Sequence, residues 1–238
     1  MKRICIIKTG STFSETRARY HDFEDWIADK LEPARSEVFT VDVQAGEALP
    51  ALDRCDGVIV TGSHSMVTDE EAWSRHTAEW LADVVKQEVP LLAICYGHQL
   101  LAKALGGVSG YHPKGMEIGT VEIELTDDAK DDPLFGGLPK RFKAHTIHSQ
   151  TVLTLPADAL RLAFNAHDEN HAFRIGQKAW GVQFHPEFDK AVMNAYIDEV
   201  SHSEMSVKAR KAALLETSAE TAEVTALLKR FEQIVYGG

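Results

Sequence analysis

The sequence predicts an α/β fold: a mixed, mostly parallel sheet flanked by helices, with a helical C-terminal extension. Three observations predict it. Four short, continuous apolar runs, Ile4–Lys8, Val38–Val43, Gly57–Thr61 and Leu91–Cys95, read as parallel strands buried on both faces. Segments of helical periodicity lie between them, which implies right-handed crossovers. From Gly119 onward the pattern changes to turn-bounded strands that follow one another directly, as an antiparallel flank requires.

The elements follow in order. After the first strand, Tyr20–Leu31 places Tyr20, Phe23, Trp26, Ile27 and Leu31 on one helical face. Glu71–Glu88 does the same with Trp73, His76, Trp80, Leu81, Val84 and Val85, so its tryptophans read as helix core. Tyr96–Leu105 is a helix that starts directly after Cys95 and stops at Gly106-Gly107. Gly119–Thr126 alternates polar and apolar residues, and Phe142–Leu155, Leu160–Ala166 and Ala172–Phe184 read as further strands. Beyond Phe188 the chain is helical. Phe188, Val192, Tyr196 and Val200 recur every fourth residue. Val224, Leu227, Leu228, Phe231, Ile234 and Val235 form a last stripe, opened by a capping box of Thr217 and Glu220. Burial of that stripe in its own domain is the expectation; an exposed stripe would mark a docking helix. The expected division is residues 1–190 as the main domain and 191–238 as an extension packed on it.

Composition narrows the function. At 238 residues and 44% apolar, the chain can bury a sizeable core and is not disordered. A net charge of −11 argues against a nucleic-acid surface, which needs a basic face. Cys5, Cys55 and Cys95 include no CxxC pair and cannot make a disulfide framework. Ile4–Ile7 is too short for a signal peptide, and no run approaches the ~20 apolar residues of a membrane span. A cytoplasmic protein without a membrane partner is expected.

The chemistry concentrates in Val89–Gly107. A strand running into Cys95, with a helix starting immediately after, places the thiol on a tight strand-to-helix turn, as in a nucleophile elbow. The helix N-terminus favours a thiolate, and its free N–H groups, beginning with Tyr96, can meet a developing oxyanion. Gly97 is read as giving the substrate room. A thiol needs a base. His185 ends an apolar strand, and Glu187, two residues on, points the same way in extended backbone, where it can orient and charge-stabilise the imidazole. Other histidines read as structural. His167 and His171 lie in a turn and make no expected metal pair, His145 and His148 face opposite sides of a strand, and His98 is wall rather than catalyst. Cys5 and Cys55 read as buried thiols.

Ala93-Ile94-Cys95-Tyr96-Gly97-His98-Gln99 together with His185-Pro186-Glu187 resembles the class I (triad) glutamine amidotransferases over residues 4–190. The resemblance implies a flavodoxin-like domain that hydrolyses the side-chain amide of glutamine, with Cys95 as nucleophile, His185 as base and Glu187 as its partner. It also implies that Gln99 helps hold glutamine. Thr61-Gly62-Ser63-His64 matches the family loop that donates an oxyanion-hole N–H, which falls on Ser63 beside that of Tyr96. Gly62 is read as a turn residue needing unusual φ. Ile147-His148-Ser149-Gln150 resembles the Ser-His-Gly-Asp stretch of the GMP synthetase amidotransferase domain, a region that contacts the α-amino and α-carboxylate groups of glutamine. His148 and Ser149 are therefore substrate-contact candidates with Gly62 and Gln99. Ala93, Ser63-His64 and Ser149-Gln150 depart from the usual Gly, Gly-Pro and Gly-Asp, which could alter the γ-glutamyl compound that fits.

The reaction implied is formation of a γ-glutamyl thioester on Cys95, release of ammonia and hydrolysis to glutamate. It calls for no metal and no organic cofactor. Nothing in the chain resembles an ATP-binding module: there is no GxxxxGK[ST] loop. Two readings follow. One is a glutaminase that supplies ammonia to a synthetase subunit in trans, resembling GMP synthetase assembly. The other is a stand-alone γ-glutamyl peptidase or hydrolase acting on a substituted γ-amide. A non-enzymatic relic would not be expected to keep a full triad.

Overall fold

In a computed structural model, which describes residues 1–32 and 34–237, β1 (Lys2–Lys8) lies between β2 (Ser36–Asp42) and β3 (Gly57–Val60) and is parallel to both. β4 (Leu91–Ile94) follows β3, and β11 (Ala179–Val182) joins β4, again in parallel. The sheet then reverses. β10 (Ala172–Ile175), β9 (Ala159–Phe164), β6 (Glu117–Leu125) and β7 (Arg141–His148) are each antiparallel to the strand before. The order is β2-β1-β3-β4-β11-β10-β9-β6-β7. Every residue of β3, β4 and β11 is buried, as central strands covered on both faces must be. At the antiparallel edge β7 alternates, with Arg141 and Lys143 exposed and Phe142 and Ala144 buried.

The strand predicted over Phe142–Leu155 breaks at Ser149. Its second half, β8 (Gln150–Thr154), leaves the main sheet and pairs with β5 (Val108–Tyr111), an element the sequence did not signal. Ala172–Phe184 is a hairpin rather than one strand, turned through Gly176 at φ 57.

The helix predicted over Tyr20–Leu31 forms as the shorter α2 (Phe23–Ala28), and a further helix, α1 (Ser14–Tyr20), precedes it, the two divided at His21 with φ 70. α1 buries only Thr16, so it has no apolar period to detect. Asp22 and Asp25 form a capping box on α2. α3 (Ala72–Lys86) packs Ser74, Thr77, Leu81 and Val84 inward; Trp73 and Trp80 are half-buried against the same core, and His76 is exposed, contrary to the predicted face. α4 (Tyr96–Ala104) ends before Gly106, which adopts φ 87.

α5 (Lys190–Ser203), α6 (Met205–Thr217) and α7 (Ala222–Tyr236) follow β11. The capping box at Thr217 does not form. Thr217 ends α6 and its hydroxyl donates back to Ala213 O at 2.9 Å. The α7 stripe is buried in the chain's own core: Val224, Leu227, Leu228, Phe231 and Val235 share one cluster with Ile4, Ile59 and Leu92. A Cβ on Gly57 would lie 2.5 Å from Val235 Cγ2, so glycine there permits the helix's close approach. Buried Glu232 accepts hydrogen bonds from the Ser36 hydroxyl (2.5 Å) and the Glu32 N–H (3.1 Å). Among the described residues, no helix is long and apolar enough to cross a membrane.

Candidate active site

Cys95 sits at the C-terminal end of β4, with φ 51 and ψ −100. A non-glycine residue there is strained by about 1–3 kcal/mol and must be held by its surroundings. Cys95 N–H donates to Val182 O at 2.8 Å, and Cys95 O accepts from Gln99 N–H at 3.1 Å. The positive φ turns the side chain out of the sheet into a cavity of about 250 Å³. The sulfur faces Ile147 O at 3.7 Å. The N–H groups of Tyr96, Gly97 and His98 precede the first i→i−4 bond of α4 and are available at the helix N-terminus.

β11 runs beside β4 with Val182 opposite Ile94, so Cys95 and His185 emerge from the same ends of adjacent parallel strands. His185 N–H donates to His145 O at 2.8 Å, which fixes the backbone. His185 Nδ1 and Glu187 Oε1 are 2.8 Å apart, and both residues are buried. His185 Nε2 has no hydrogen-bond partner among the described residues and is left free on the Cys95 side of the ring, where Gly62 sits against both residues. Burial disfavours the imidazolium; the negative charges of Glu187 and Cys95 outweigh it and raise His185 to about 10. Cys95, His185 and Glu187 are thus together, as the sequence predicts. Burial and the neighbouring His185 lower His145 to about 4.

Ser63 and Tyr96 both line the cavity, as do Gln99, His148 and Ser149. The Ser63 hydroxyl accepts Ser65 N–H at 3.0 Å and fits against Gly10, where a Cβ would lie 2.5 Å from it. Two glycines have other roles than those predicted. Gly62 does not adopt positive φ and is not part of the cavity wall; a Cβ on it would lie 3.1 Å from His185 Cε1 and 3.7 Å from Cys95 Cβ. It makes space for the nucleophile and base. A Cβ on Gly97 would lie 2.9 Å from Val60 side-chain atoms, so Gly97 lets α4 pack on β3 rather than admitting substrate. His98 points into the core, 4.9 Å from Phe173 between ring centroids, not into the cavity.

Gln99 Nε2 donates to Gln150 O (2.7 Å) and Gln183 Oε1 (2.9 Å), which fixes the amide under the 147–150 segment. His148 is fixed too. Its Nδ1 faces Gln150 O at 3.0 Å and its Nε2 faces Glu117 Oε2 at 3.1 Å. Sequence spacing pairs His171 with His167; the fold instead brings His171 Nε2 to the same Glu117 oxygen, at 2.9 Å. Among the described residues, Glu117, His148 and His171 could hold a metal ion, with facing atoms within 4.8 Å of one another. With Asn165 donating to Glu117 Oε1 at 2.8 Å, the carboxylate already accepts three hydrogen bonds. Burial opposes its charge, but the two imidazoles hold Glu117 well below the usual carboxylate range. This cluster joins three distant segments, so no local motif announces it.

Sequence reasoning also missed an aromatic wall. Phe13, Phe23, His64 and Tyr196 line the cavity beside Cys95 and His185. Tyr196 reads in sequence as a core position of α5, and its ring is buried, but its hydroxyl reaches Thr12 Oγ1 at 2.7 Å and His64 Nε2 at 3.3 Å.

Comparison with known proteins adds to this geometry. The profile of the glutamine amidotransferase class-I family matches residues 19–200. A glutamine-hydrolyzing GMP synthase of Aeropyrum pernix is 40% identical over 142 residues, covering 60% of this chain and 25% of that relative. Gamma-glutamyl peptidase 5 of Arabidopsis thaliana is 30% identical over 151 residues, covering 63% of this chain and 60% of the peptidase. The chain therefore spans a quarter and three fifths of the lengths of these two. Among solved structures, a glutamine amidotransferase from Thermotoga maritima is 26% identical with a TM-score of 0.79, covering 100% of this chain and 99% of that one. A glutamine amido transferase from Methylobacillus flagellatus shares the fold at 21% identity, with a TM-score of 0.71 over 99% of this chain and 93% of that one.

Proposed function

The chain belongs to the glutamine amidotransferase class-I family, and from that premise we propose that it hydrolyses a γ-glutamyl amide through Cys95, His185 and Glu187. The observation that carries this is the pairing of two strand ends: Cys95 strained outward after β4, and His185 after β11 with Glu187 on its far nitrogen.

The geometry supports the following sequence. His185 takes the thiol proton of Cys95, or already holds it, because Glu187 favours the charged ring. The sulfur attacks the γ-carbonyl, and the N–H groups of Ser63 and Tyr96 meet the oxyanion. His185 gives its proton to the departing nitrogen, and the C–N bond breaks to leave a γ-glutamyl thioester on Cys95. His185, now neutral, takes a proton from water, which displaces the sulfur and yields glutamate. Gln99, His148 and Ser149 hold the glutamyl group, and Gly62 keeps base and nucleophile close. These steps use protein groups alone.

In this reading residues 1–190 form the glutaminase unit, and 191–238 pack on it and lend Tyr196 to the cavity. With glutamine as substrate, the ammonia would pass to a synthetase subunit in trans. The match to a gamma-glutamyl peptidase over three fifths of its length favours a second reading, in which the protein acts alone on a substituted γ-amide. The free thiols of Cys5, Cys55 and Cys95 suit a reducing cytoplasm. Release of glutamate from glutamine and from γ-glutamyl peptides, with Cys95→Ala in parallel, tests the proposal. Turnover is expected from the native chain and none from the variant; equal turnover by both overturns it.

A further inference from the structure

We propose that the wall formed by Phe13, Phe23, His64 and Tyr196 is a subsite for the amine half of the substrate. The protein then prefers γ-glutamyl amides whose nitrogen carries an uncharged aromatic group over glutamine itself. This rests on hydrolysis by Cys95 and His185 as proposed above, and it names the substrate class.

The position follows from the proton that must move. His185 protonates the leaving nitrogen, so the amine lies beside the imidazole. Phe23 is the cavity-lining ring next to it, nearly parallel to the imidazole at 17° with centroids 6.3 Å apart. The Cβ position of Gly62 lies 3.1 Å from His185 Cε1 and 3.6 Å from Phe23 Cε1, so the two rings stand side by side against this glycine, and both line the cavity. From there the wall continues to His64, 6.3 Å from Phe23, then to Phe13, 4.3 Å from His64, and to Tyr196, 5.2 Å from Phe13. Such spacings suit face and edge contacts with a further aromatic ring. Ammonia needs none of them.

The wall is apolar despite two polar members. The Tyr196 hydroxyl is engaged by Thr12 and by His64 Nε2, so these two polar atoms are turned toward each other. His64 keeps part of its surface open to solvent, yet desolvation of its ring by its neighbours and the adjacent His185 lower its pKa, which favours the neutral form. The cavity lining contains no Lys or Arg, and its outer part carries the carboxylate of Glu204. Apart from the His185 imidazolium, a substituent bearing a carboxylate would find no cation among these lining residues, which favours an uncharged aromatic amine over an amino-acid leaving group. His64 stands where the family loop usually has proline, so this chain has built part of the wall with a residue of its own.

The test uses γ-glutamyl benzylamide, glutamine and γ-glutamylglycine. Benzylamine and ammonia have similar basicity, so a preference between the first two reports binding rather than leaving-group chemistry. Calorimetric titration of the full-length Cys95→Ala protein is expected to give about tenfold or more tighter binding of the benzylamide than of glutamine, as burial of one aromatic ring supports. γ-Glutamylglycine should gain nothing over glutamine. In turnover by the native chain, Phe13→Ala should cut the benzylamide-to-glutamine ratio of kcat/KM by about fivefold or more. Phe13 is half-buried at the cavity edge, and glutamine turnover in the same preparation controls for folding. Glutamine binding as tight as benzylamide binding, or a ratio unmoved by Phe13→Ala, overturns the subsite while leaving glutamine hydrolysis by Cys95 intact. Hydrolysis that survives Cys95→Ala overturns the underlying reading instead.

Discussion

Replacing Glu187 by Gln keeps the side chain's shape and removes the charge that faces His185 Nδ1 at 2.8 Å. Burial acts against the imidazolium, yet Glu187 and Cys95 bring His185 from 6.5 to about 10. At ~1.4 kcal/mol per pKa unit, that climb is worth roughly 5 kcal/mol net. The charge of Glu187 is the largest single favourable influence. Because the favourable influences also offset the burial penalty, their sum exceeds this net; with a Glu187 share of at least some 2–3 kcal/mol, the variant should lose about 10²-fold or more in rate. The pH dependence gives the sign. A group whose pKa is raised by folding keeps its charge interaction below its ordinary value and loses it as pH rises through the folded value. The native His185 imidazolium should therefore persist until about pH 10, and the alkaline limb of glutamate release should move toward neutrality in Glu187→Gln. The assay is the pH profile of glutamate release by the native and variant chains. A variant with native rates and an unmoved alkaline limb would refute the orientation and charge role given to Glu187.

Three further outcomes follow from particular contacts. Cys95→Gly should unfold at higher urea than Cys95→Ala, by about 1 kcal/mol, because glycine relieves backbone strain of about 1–3 kcal/mol and itself costs about 0.5–1; a less stable glycine variant would show no strain at the elbow. Gly57→Ala should cost about 1–3 kcal/mol by overpacking against Val235, and much less in a Val235→Ala background. Additive losses in that double-mutant cycle would mean that α7 does not seat there. Asp22→Asn should cost about 3 kcal/mol, the low end for breaking a buried pair, since Lys8 keeps Glu24 at 2.5 Å. Burial opposes the Asp22 charge, but the N–H groups of Thr12 and Phe23 with Lys8 lower its pKa. Its contribution is present above the ordinary 3.8 and is lost as pH falls through the lower folded value, so the gap between native and variant chains should close in acid; a gap that stays constant there contradicts this assignment.

Much of the parallel half of the fold was legible because its strands are continuous apolar runs and its elbow is a local event. Gly57–Val60, Leu91–Ile94 and the turn at Cys95 need only neighbours in sequence. The same holds for Glu187, two residues from His185. What the sequence concealed depends on chain reversal or on chemistry without period. α1 buries a single threonine, and β8 leaves its parent strand at Ser149 for a partner some forty residues earlier, in β5. Gly62 and Gly97 looked like turn and substrate-access residues, but what each requires is closeness to atoms far away in sequence. The Glu117–His148–His171 cluster and the aromatic wall both assemble from separated segments. Tyr196 could have been flagged as the one hydroxyl-bearing member of an otherwise apolar stripe, a buried polar tip that needs a partner.

The account stands most directly on one measurement: intact-protein mass spectrometry after brief incubation with glutamine or γ-glutamyl benzylamide and acid quench, followed by peptide mapping. A γ-glutamyl adduct on Cys95, absent from Cys95→Ala, is the predicted result. An adduct on another residue, or glutamate released by Cys95→Ala at the native rate, would contradict it.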